Sequence, residues 1–407
     1  MKRIIITLFL ILQITLQVKA QLILVPSSHV ANIERAKTNT VNYNQLPFID
    51  DFSNYQGLPN PDKWQSSNAI VNCNYQYNPP TVGVVTLDAI DIYGKLYPNA
   101  NTSSFYADTL LSQPIRLDSV ITSLSSKQKL TKGDSIYFSF FIQPAGGGGQ
   151  PWETIGSTPS STDSITLEFY SDQDGWQKIW SMGGLPLDSL FAKEGMYYKY
   201  VLIPITDDKY FIKDFSFRFR NVASLNNNPQ TAYIGNCDQW NIDYIYINKE
   251  RSISDTTLRE LAFIDSAPTM LKRYQSMPAN QYTPNEVADS LQIKIVNLHS
   301  SALSSLYKYD IKDEAGNLLY NYDGGFENIN PYITTFTYQD AIAHARPNVN
   351  YDFNLTTDDW KNFVITHTIK EGVGQDMLSA NDTIRFIQKF EDYFAYDDAS
   401  AENGIGV

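Results

Sequence analysis

Residues that build metal sites and nucleophilic catalytic sites are scarce in this sequence. Its 407 residues include only 2 Cys and 4 His. They form no His-Glu-x-x-His motif, no Gly-x-Ser-x-Gly motif, no paired cysteine knuckle and no catalytic glutamate pair at a recognisable spacing. These absences exclude the zinc-peptidase, α/β-hydrolase and zinc-knuckle classes that such motifs mark.

Positive charge is also scarce. The chain has 31 Lys and Arg against 44 Asp and Glu, which gives a formal net charge of −13 at pH 7. No stripe of Lys and Arg interrupts this acidity, so nucleic acid and anionic membrane surfaces are poor partners. Calcium or a neutral glycan is better suited to a surface that is acidic and rich in tyrosine.

The one long apolar run lies at the N-terminus, in MKRIIITLFLILQITLQVKA. A basic start precedes an apolar stretch from Ile4 to about Leu16, and a small-residue cleavage site ends at Ala20. This pattern predicts a secretory signal peptide over 1–20, and the stretch is too short for a transmembrane helix. We therefore expect the mature chain to be extracellular or on the outer cell surface, with no transmembrane anchor after signal cleavage.

Strand patterns are abundant in the first half of the chain. Aromatic and β-branched residues alternate with polar ones or run together between turn clusters, as in SIYFSFFIQP (135–144), SITLEFYS (164–171), YYKYVLIPI (197–205), FSFRFRNVA (215–223) and WNIDYIYIN (240–248). Short strands without intervening helices are typical of packed antiparallel sheets. The sequence therefore predicts an all-β protein with a jelly-roll β-sandwich over 47–250, preceded by an N-terminal extension over 21–46.

A second, smaller group of strand patterns follows. The polar, proline-bearing stretch 251–284 is predicted to be a linker with a short helical piece over 257–264. Strand segments within 285–390 fit an immunoglobulin-like or fibronectin-like β-sandwich of about 100 residues. Residues 391–407 contain glycines and carboxylates typical of a domain's opening, so we expect them to start a further, truncated domain.

Several segments together resemble a known class of surface protein. They are PFIDDFSNYQGLPNPDKW (47–64), NPPTVGVVTLDAIDIYGKLYP (78–98), DGWQKIW (174–180), NCDQWNIDYIYIN (236–248) and FAYDDASAENGIGV (394–407). They are similar to multidomain surface proteins of type IX-secreting bacteria, in which a MAM-like or concanavalin-like jelly roll precedes immunoglobulin-like modules and a sorting domain. The resemblance implies export by the type IX machinery, although no C-terminal sorting domain is recognisable here.

Aspartates near the ends of the predicted jelly-roll strands are candidate calcium ligands. In such jelly rolls the first and last strands pair, so Asp51, Asp238 and Asp243 are expected at a common edge. Calcium takes six to eight oxygen ligands, and the plausible donors are Asp50, Asp51, Asp88, Asp91, Asp238 and Asp243. Their spacing matches no calcium loop, and the alternative is that they cap turns or deter edge pairing.

Aromatic residues in predicted loops are candidate glycan ligands. Sugar rings stack on aromatic faces that have amides or carboxylates nearby. The candidates are Tyr75, Tyr77, Tyr93, Tyr97 and Trp152. Tyrosines also fill cores, and that alternative stays open.

The two cysteines are expected to pair. In an exported protein a cysteine is either paired in a disulfide or left as an exposed reactive thiol. Cys73 and Cys237 lie toward opposite ends of the predicted first domain, and a jelly roll brings its terminal strands together. We predict a Cys73–Cys237 disulfide, with two buried free thiols as the alternative.

A tripeptide of Asp, then Ser or Thr, then an apolar residue or Thr occurs nine times in the sequence. Such a tripeptide is also a natural strand start. It resembles the O-glycosylation acceptor of bacteria with type IX secretion. The resemblance implies modification of at least one of Ser119, Thr256, Ser266 and Ser290.

Two classes of function remain after these exclusions. The favoured one is a non-catalytic binding or adhesion protein, secreted or on the cell surface, whose loops or concave sheet bind glycans or surface proteins. The alternative is an extracellular hydrolase, acting on glycans or peptides, whose catalytic part is missing or unrecognised. Glu153 and Glu168 are available for such chemistry, but no pattern selects them.

Overall fold

The computed structural model describes residues 43–65, 68–123, 126–144, 163–225, 238–332, 342–343, 361–374 and 376–396. The chain divides into two compact units, Met1–Thr40 and Val41–Val407, and every described residue belongs to the second. The predicted signal peptide, most of the predicted N-terminal extension and residues 397–407 lie outside the described residues.

Two antiparallel sheets form the first sandwich. Its strands are β1 (Phe48–Asp50), β2 (Ile70–Asn72), β3 (Val84–Leu87), β4 (Phe105–Leu111), β5 (Ser119–Ser123), β6 (Ser126–Lys129), β7 (Tyr137–Pro144), β8 (Ser164–Ser171), β9 (Gly175–Gly183), β10 (Lys199–Pro204), β11 (Phe217–Ala223) and β12 (Trp240–Asn248). One sheet has the order β10-β7-β12-β3-β2, with β1 also paired to β12, and the facing sheet has the order β4-β11-β8-β9. Strands β5 and β6 form a separate ribbon, and helix α1 (Leu187–Glu194) lies between β9 and β10.

Alternating side chains in these strands explain the sandwich. In β11, Phe217 and Phe219 are buried between the sheets, whereas Arg218 and Arg220 lie on the opposite face. The ring of Phe217 meets that of the fully buried Trp64 edge-to-face, with centroids 5.6 Å apart. Burying aromatic rings of this size supplies the largest share of a sandwich core's stability.

A smaller β-sandwich follows. Its strands are β13 (Leu261–Phe263), β14 (Ser276–Met277), β15 (Gln292–Ile293), β16 (Ile295–Asn297), β17 (Leu303–Asp313), β18 (Leu318–Ile329), β19 (Ile342–Ala343), β20 (Lys361–Glu371) and β21 (Thr383–Phe390). The largest sheet has the order β14-β21-β20-β17-β18, while β13 pairs with β16 and β15 with β19. Single-turn 3-10 helices span Lys132–Asp134, Asp208–Tyr210, Ala279–Gln281, Pro284–Glu286 and Ser379–Asn381. The all-β class, with a jelly-roll sandwich followed by a smaller immunoglobulin-like sandwich, is confirmed.

The two sandwiches share a hydrophobic layer, because β12 is buried on both faces. Ile242 packs into the core of the first sandwich. Tyr244 and Tyr246 pack into a different cluster, which includes Val296 and Leu298 of the second sandwich. The six-stranded sheet is therefore the common wall of both sandwiches.

The stretch 251–284 is more structured than a linker. It contains β13 and β14, and the short helix predicted over 257–264 is wrong, because Leu261–Phe263 pairs with β16. All three residues of β13 are buried, so strand pairing and burial override the local helical pattern. Strand β20 was not predicted, although its inward and outward residues alternate clearly.

Gly83 is required where two loops of the first sandwich touch. Its φ is +95°, and a Cβ there would lie 2.6 Å from the backbone oxygen of Phe52. We expect Gly83→Ala to lower the free energy of unfolding by about 2 to 4 kcal/mol, because backbone strain and overpacking add. Urea unfolding measures the loss.

Gly57→Ala is the matched control for this substitution. Gly57 has a similar φ of +87° but open space around the position of a Cβ. Gly57→Ala should lower the free energy of unfolding only by the cost of the left-handed backbone conformation, about 1 to 2 kcal/mol. Equal losses in the two variants would contradict the proposed backbone clash.

Candidate functional site

The four predicted glycan-binding tyrosines differ in their exposure and in their contacts. Tyr75 and Tyr93 are exposed, whereas Tyr77 and Tyr97 are half-buried and engaged within the protein. The Tyr97 hydroxyl donates to Asp108 Oδ1 at 2.5 Å, and the Tyr77 ring packs edge-on against Tyr197 with centroids 4.7 Å apart. The described ring contacts join none of the four to another, and Trp152 lies outside the described residues.

The predicted calcium ligands divide among separate places. Asp50 accepts hydrogen bonds from Trp64 and Tyr55 and pairs with Lys63. Asp88 accepts from the backbone of Ile90, and Asp91 from the backbone of Tyr93 and Lys95. Asp238 accepts from the Ser224 backbone at 2.9 Å. The backbone contacts of Asp88, Asp91 and Asp238 are those of turn and loop caps, the alternative that the sequence left open, whereas Asp50 contacts side chains.

Asp51 and Asp243 do come together, but not as a calcium site. The Asp243 carboxylate accepts hydrogen bonds from the backbone and hydroxyl of Thr81 and from the Tyr244 backbone. These donors occupy oxygens that a cation needs. Within the described ranges, no group of three or more His, Cys, Asp or Glu side chains has an arrangement that could hold a metal ion. The residues present do not fit a calcium ion.

Asp51 and Asp243 instead belong to a larger buried group, which we call the carboxyl junction. It comprises five carboxyl groups and one amide: Asp51, Asp243, Glu260, Asp376, Asp382 and Asn381. The Asn381 amide donates to Asp51 Oδ2 at 2.9 Å and to Glu260 Oε1 at 2.7 Å. The Tyr244 hydroxyl donates to the other Glu260 oxygen at 2.8 Å. The junction therefore connects the first sandwich with the turn before β21.

Burial raises the pKa of every carboxyl group in the junction. The pKa rises to about 6 for Asp51, to about 7 for Asp382 and to about 10 for Glu260, and it is also raised for Asp243 and Asp376. Loss of hydration is the largest cause in each case, and neighbouring carboxylates add to it for all but Asp376. The ion pairs of the described residues give none of the five a Lys or Arg partner. Asp51, Asp243 and Glu260 are buried, whereas Asp376 and Asp382 are partly exposed, so the carboxyl groups of the junction keep their protons to a higher pH than free carboxyl groups do.

The outer face of the four-stranded sheet has a different character, and we call its central group the arginine band. It comprises six side chains from all four strands: Tyr106, Glu168, Tyr170, Trp176, Arg218 and Arg220. Their strands are adjacent, and the register pairs Arg218 with Glu168 and Tyr170 with Trp176. Tyr106 is 54% exposed, and the other five are partly exposed.

Each arginine of the band is held over an aromatic ring. The Arg218 guanidinium lies 4.2 Å from the Trp176 ring centroid, and that of Arg220 lies 3.4 Å from the Tyr106 centroid. Arg218 Nε donates to Glu168 Oε2 at 2.5 Å, and Arg220 Nη1 lies 3.5 Å from Glu168 Oε1. Stacking and ion pairing together fix both guanidinium groups before any ligand binds.

These contacts leave donors available at the arginine band. A guanidinium group carries five N–H donors, and the described contacts with Glu168 use Nε of Arg218 and Nη1 of Arg220. Aromatic rings that are at least partly exposed and lie beside fixed donors can bind a sugar by stacking and hydrogen bonding. Glu168, one of the two carboxylates considered for hydrolysis, is engaged by both arginines, and Glu153 lies outside the described residues.

Most residues of the arginine band are not among those that the sequence predicts as ligands. The signal for them is the alternation Phe-Arg-Phe-Arg in β11, which places both arginines on one face. Their neighbours depend on the pairing of β11 with β4 and β8. Sequence spacing alone does not give that register.

The predicted disulfide and glycosylation residues differ in their exposure and in their contacts. The half-buried Cys73 thiol contacts Gln56 and Ser266, while Cys237 lies outside the described residues, so the disulfide stays a prediction. Among the predicted glycosylation sites, Thr256 and Ser266 are exposed and Ser290 is half-buried. Ser119 is buried and its hydroxyl donates to Asp118 at 3.0 Å. Thr256 and Ser266 are the sites that an enzyme could reach in the folded chain.

Comparisons with known proteins place the chain in no family. No family model matches the sequence, and the search of curated proteins found no match. Among solved structures, a Bacteroides uniformis β-glucuronidase has 10% identity and a TM-score of 0.26, covering 69% of this chain and 26% of the other. A putative β-galactosidase from Bacteroides fragilis has 9% identity and a TM-score of 0.25, covering 73% and 33%.

A third solved structure, a β-glucuronidase from Ruminococcus gnavus, has 10% identity and a TM-score of 0.25, covering 83% of this chain and 48% of the other. This chain therefore spans between about a quarter and a half of these proteins. Identities and TM-scores this low assign neither an overall fold nor an activity to the chain.

Proposed function

We propose that this chain is an exported, non-catalytic binding protein whose first sandwich binds glycans through the arginine band. The observation that carries the proposal is the fixed pair of guanidinium groups, each stacked on an aromatic ring of the outer sheet face. A rigid face of this kind loses little side-chain entropy on binding. The second sandwich acts as a spacer that holds this face away from the cell.

The chemistry of the face suits a sugar. Trp176 and Tyr170 lie 5.4 Å apart in a tilted pair, and Tyr106 stands at the other end of the band. The aromatic rings offer apolar edges and faces, and Arg and Glu offer donors and acceptors between them. Sugars present the same mixture, with C–H faces and hydroxyl edges.

Export and surface location are part of the proposal. They are supported by the apolar N-terminal segment with its basic start and by the segments that resemble type IX surface proteins. Among the described residues, no helix has the length and apolarity to cross a membrane. We propose the type IX machinery as the export partner and glycans on Thr256 or Ser266 as the accessible modifications.

A glycan array tests the binding proposal. The purified protein is expected to bind at least one class of glycan, and Trp176→Ala and Arg218→Ala should each weaken binding roughly tenfold or more. Each substitution removes one member of a stacked pair, which frees the other member to move. Circular dichroism checks that both variants remain folded.

Arg273→Ala is the matched control for Arg218→Ala. Arg273 also lies over a tyrosine ring, at 5.3 Å, and pairs with a glutamate, but it is far more exposed and belongs to the second sandwich. It should bind glycans as the unchanged protein does. Absence of binding to any glycan, or equal binding by all variants, would contradict the proposed function.

A further inference from the structure

The arginine band has a charge opposite to that of the whole chain. Arg218, Arg220 and Lys178 lie on the outer face, where Lys178 is exposed and pairs in register with Glu168. Glu168 is the one carboxylate among these four residues. These four residues therefore carry more positive than negative charge, on a chain whose formal net charge is −13. Opposite local charge concentrates an anionic ligand at this face and repels it elsewhere.

The band already shows how it holds a carboxylate. The two oxygens of Glu168 lie between two guanidinium groups: Arg218 is hydrogen-bonded to one oxygen at 2.5 Å, and Arg220 is ion-paired with the other at 3.5 Å. Planar guanidinium groups favour carboxylates because two parallel N–H donors match two oxygens. The outward donors of the same two arginines can repeat this pairing with a ligand.

The spacing of the arginines adds selectivity for a chain of charged units. Arg218 and Arg220 are two residues apart on one strand, so their backbones are about 6.6 Å apart along it. Rings at the band's ends extend the face on both sides, with Trp176 beside Arg218 and Tyr106 beside Arg220. An oligosaccharide with more than one carboxylate can therefore engage both arginines while its rings lie along the aromatic side chains.

We propose that the ligand of the arginine band is an acidic glycan that carries uronic acid carboxylates. This inference rests on the proposed glycan-binding function and narrows its ligand class. It departs from the neutral glycan that the overall acidity of the sequence favours. The reason is that local charge at the face, and not net charge, sets which ligand binds there.

Isothermal titration with a matched pair of sugars tests the inference. The probes are tetragalacturonate and its fully methyl-esterified form, which share a backbone and differ in charge. Tetragalacturonate should bind at least about tenfold more tightly than the ester, since each charge-assisted hydrogen bond contributes about that factor or more. Raising the salt concentration should weaken this binding.

Two substitutions separate charge from geometry. Arg218→Gln should weaken tetragalacturonate binding more than tenfold, and Arg218→Lys, which keeps the charge but loses the planar fork, should weaken it less. Arg273→Gln is the control and should change nothing. Thermal unfolding confirms that each variant is folded.

The outcomes distinguish the inference from the function on which it rests. If the ester binds as tightly as tetragalacturonate, or if only neutral glycans bind and depend on Trp176, the acidic ligand class is wrong and glycan binding stands. If no glycan binds at all, the proposed function fails and the inference fails with it. Equal binding of tetragalacturonate by the Arg218 variants and the unchanged protein would also overturn the inference.

Discussion

The free energy of unfolding is expected to fall as the pH rises from 5 to 8. Folding raises the pKa of Asp51 to about 6, of Asp382 to about 7 and of Glu260 to about 10. The pKa of Asp238, outside the junction, rises to about 8. A carboxyl group whose pKa is raised by folding binds its proton more tightly in the folded state. Its stabilisation is complete below the unfolded pKa, near 4, and is lost as the pH rises through the folded pKa.

Each such group lowers stability by about 1.4 kcal/mol for every pH unit between its unfolded and folded pKa values. At about pH 5.5 several of these groups are between their unfolded and folded pKa values at the same time. The free energy of unfolding should therefore fall more steeply with pH there than a single group would cause. Above about pH 6 Asp51 causes no further loss of stability, whereas Glu260 continues to lower the free energy of unfolding. Urea unfolding at pH 5, 6, 7 and 8 measures this slope.

Glu260→Gln tests the source of the pH dependence. Glutamine keeps an oxygen for Tyr244 or Asn381 and carries no charge, so it resembles the protonated acid. The variant should unfold at higher urea than the unchanged protein at pH 8 and should have a flatter pH dependence. Asp289→Asn is the control, since Asp289 is 81% exposed. Stability that rises between pH 5 and 8, or a Glu260→Gln slope equal to that of the control, would contradict the account.

Arg251→Ala is expected to lower the free energy of unfolding by about 3 to 5 kcal/mol, because it leaves buried partners unpaired. Only 7% of Arg251 is exposed. Its Nε donates to Asp255 at 2.5 Å and its Nη2 to the Tyr200 hydroxyl at 3.0 Å. Its Nη1 donates to Ser139 Oγ at 2.9 Å and to the Tyr246 carbonyl at 3.2 Å.

The position of Arg251 explains the size of the expected effect. The guanidinium lies 4.4 Å from the Tyr246 ring centroid and joins strands β7, β10 and β12 at the start of the connection to the second sandwich. Arg273→Ala should lower the free energy of unfolding by less than about 1 kcal/mol, since the Arg273 side chain is 64% exposed in its ion pair. Similar losses in the two variants would show that the buried network adds no stability.

Strand alternation made the first sandwich predictable, and it also placed Arg218 and Arg220 on an outer face. The predicted segments 164–171, 215–223 and 240–248 correspond closely to β8, β11 and β12. Period-two alternation states which side chains share a face of one strand. It does not state which strand lies beside it, so the contact of Arg220 with Tyr106 on β4 could not be predicted.

The carboxyl junction was less predictable for a related reason. Asp51 and Asp243 were expected to approach through pairing of the first and last jelly-roll strands, and they do. Glu260 and Asn381, which are 121 residues apart in the sequence, reach the same place from the second sandwich. Loss of hydration raises the pKa of these carboxyl groups, and hydrogen-bond donors occupy the Asp243 oxygens that a cation would need.

The region 251–284 shows the limit of composition as a guide. Its polar residues and prolines are typical of a linker, yet Arg251 and Glu260 are buried and Leu261–Phe263 is a strand. A buried arginine cannot be distinguished from a solvated one by its sequence neighbours. Its role depends on partners such as Ser139, 112 residues earlier in the chain.

A crystal structure of the protein with tetragalacturonate bound tests the central claim most directly. The account predicts that the sugar lies across the outer face of the four-stranded sheet, with a carboxylate about 2.8 Å from a guanidinium nitrogen of Arg218 or Arg220. It also predicts sugar rings against Trp176 or Tyr106. A sugar bound away from the arginine band, for example at the exposed Tyr75 or Tyr93, would contradict the account.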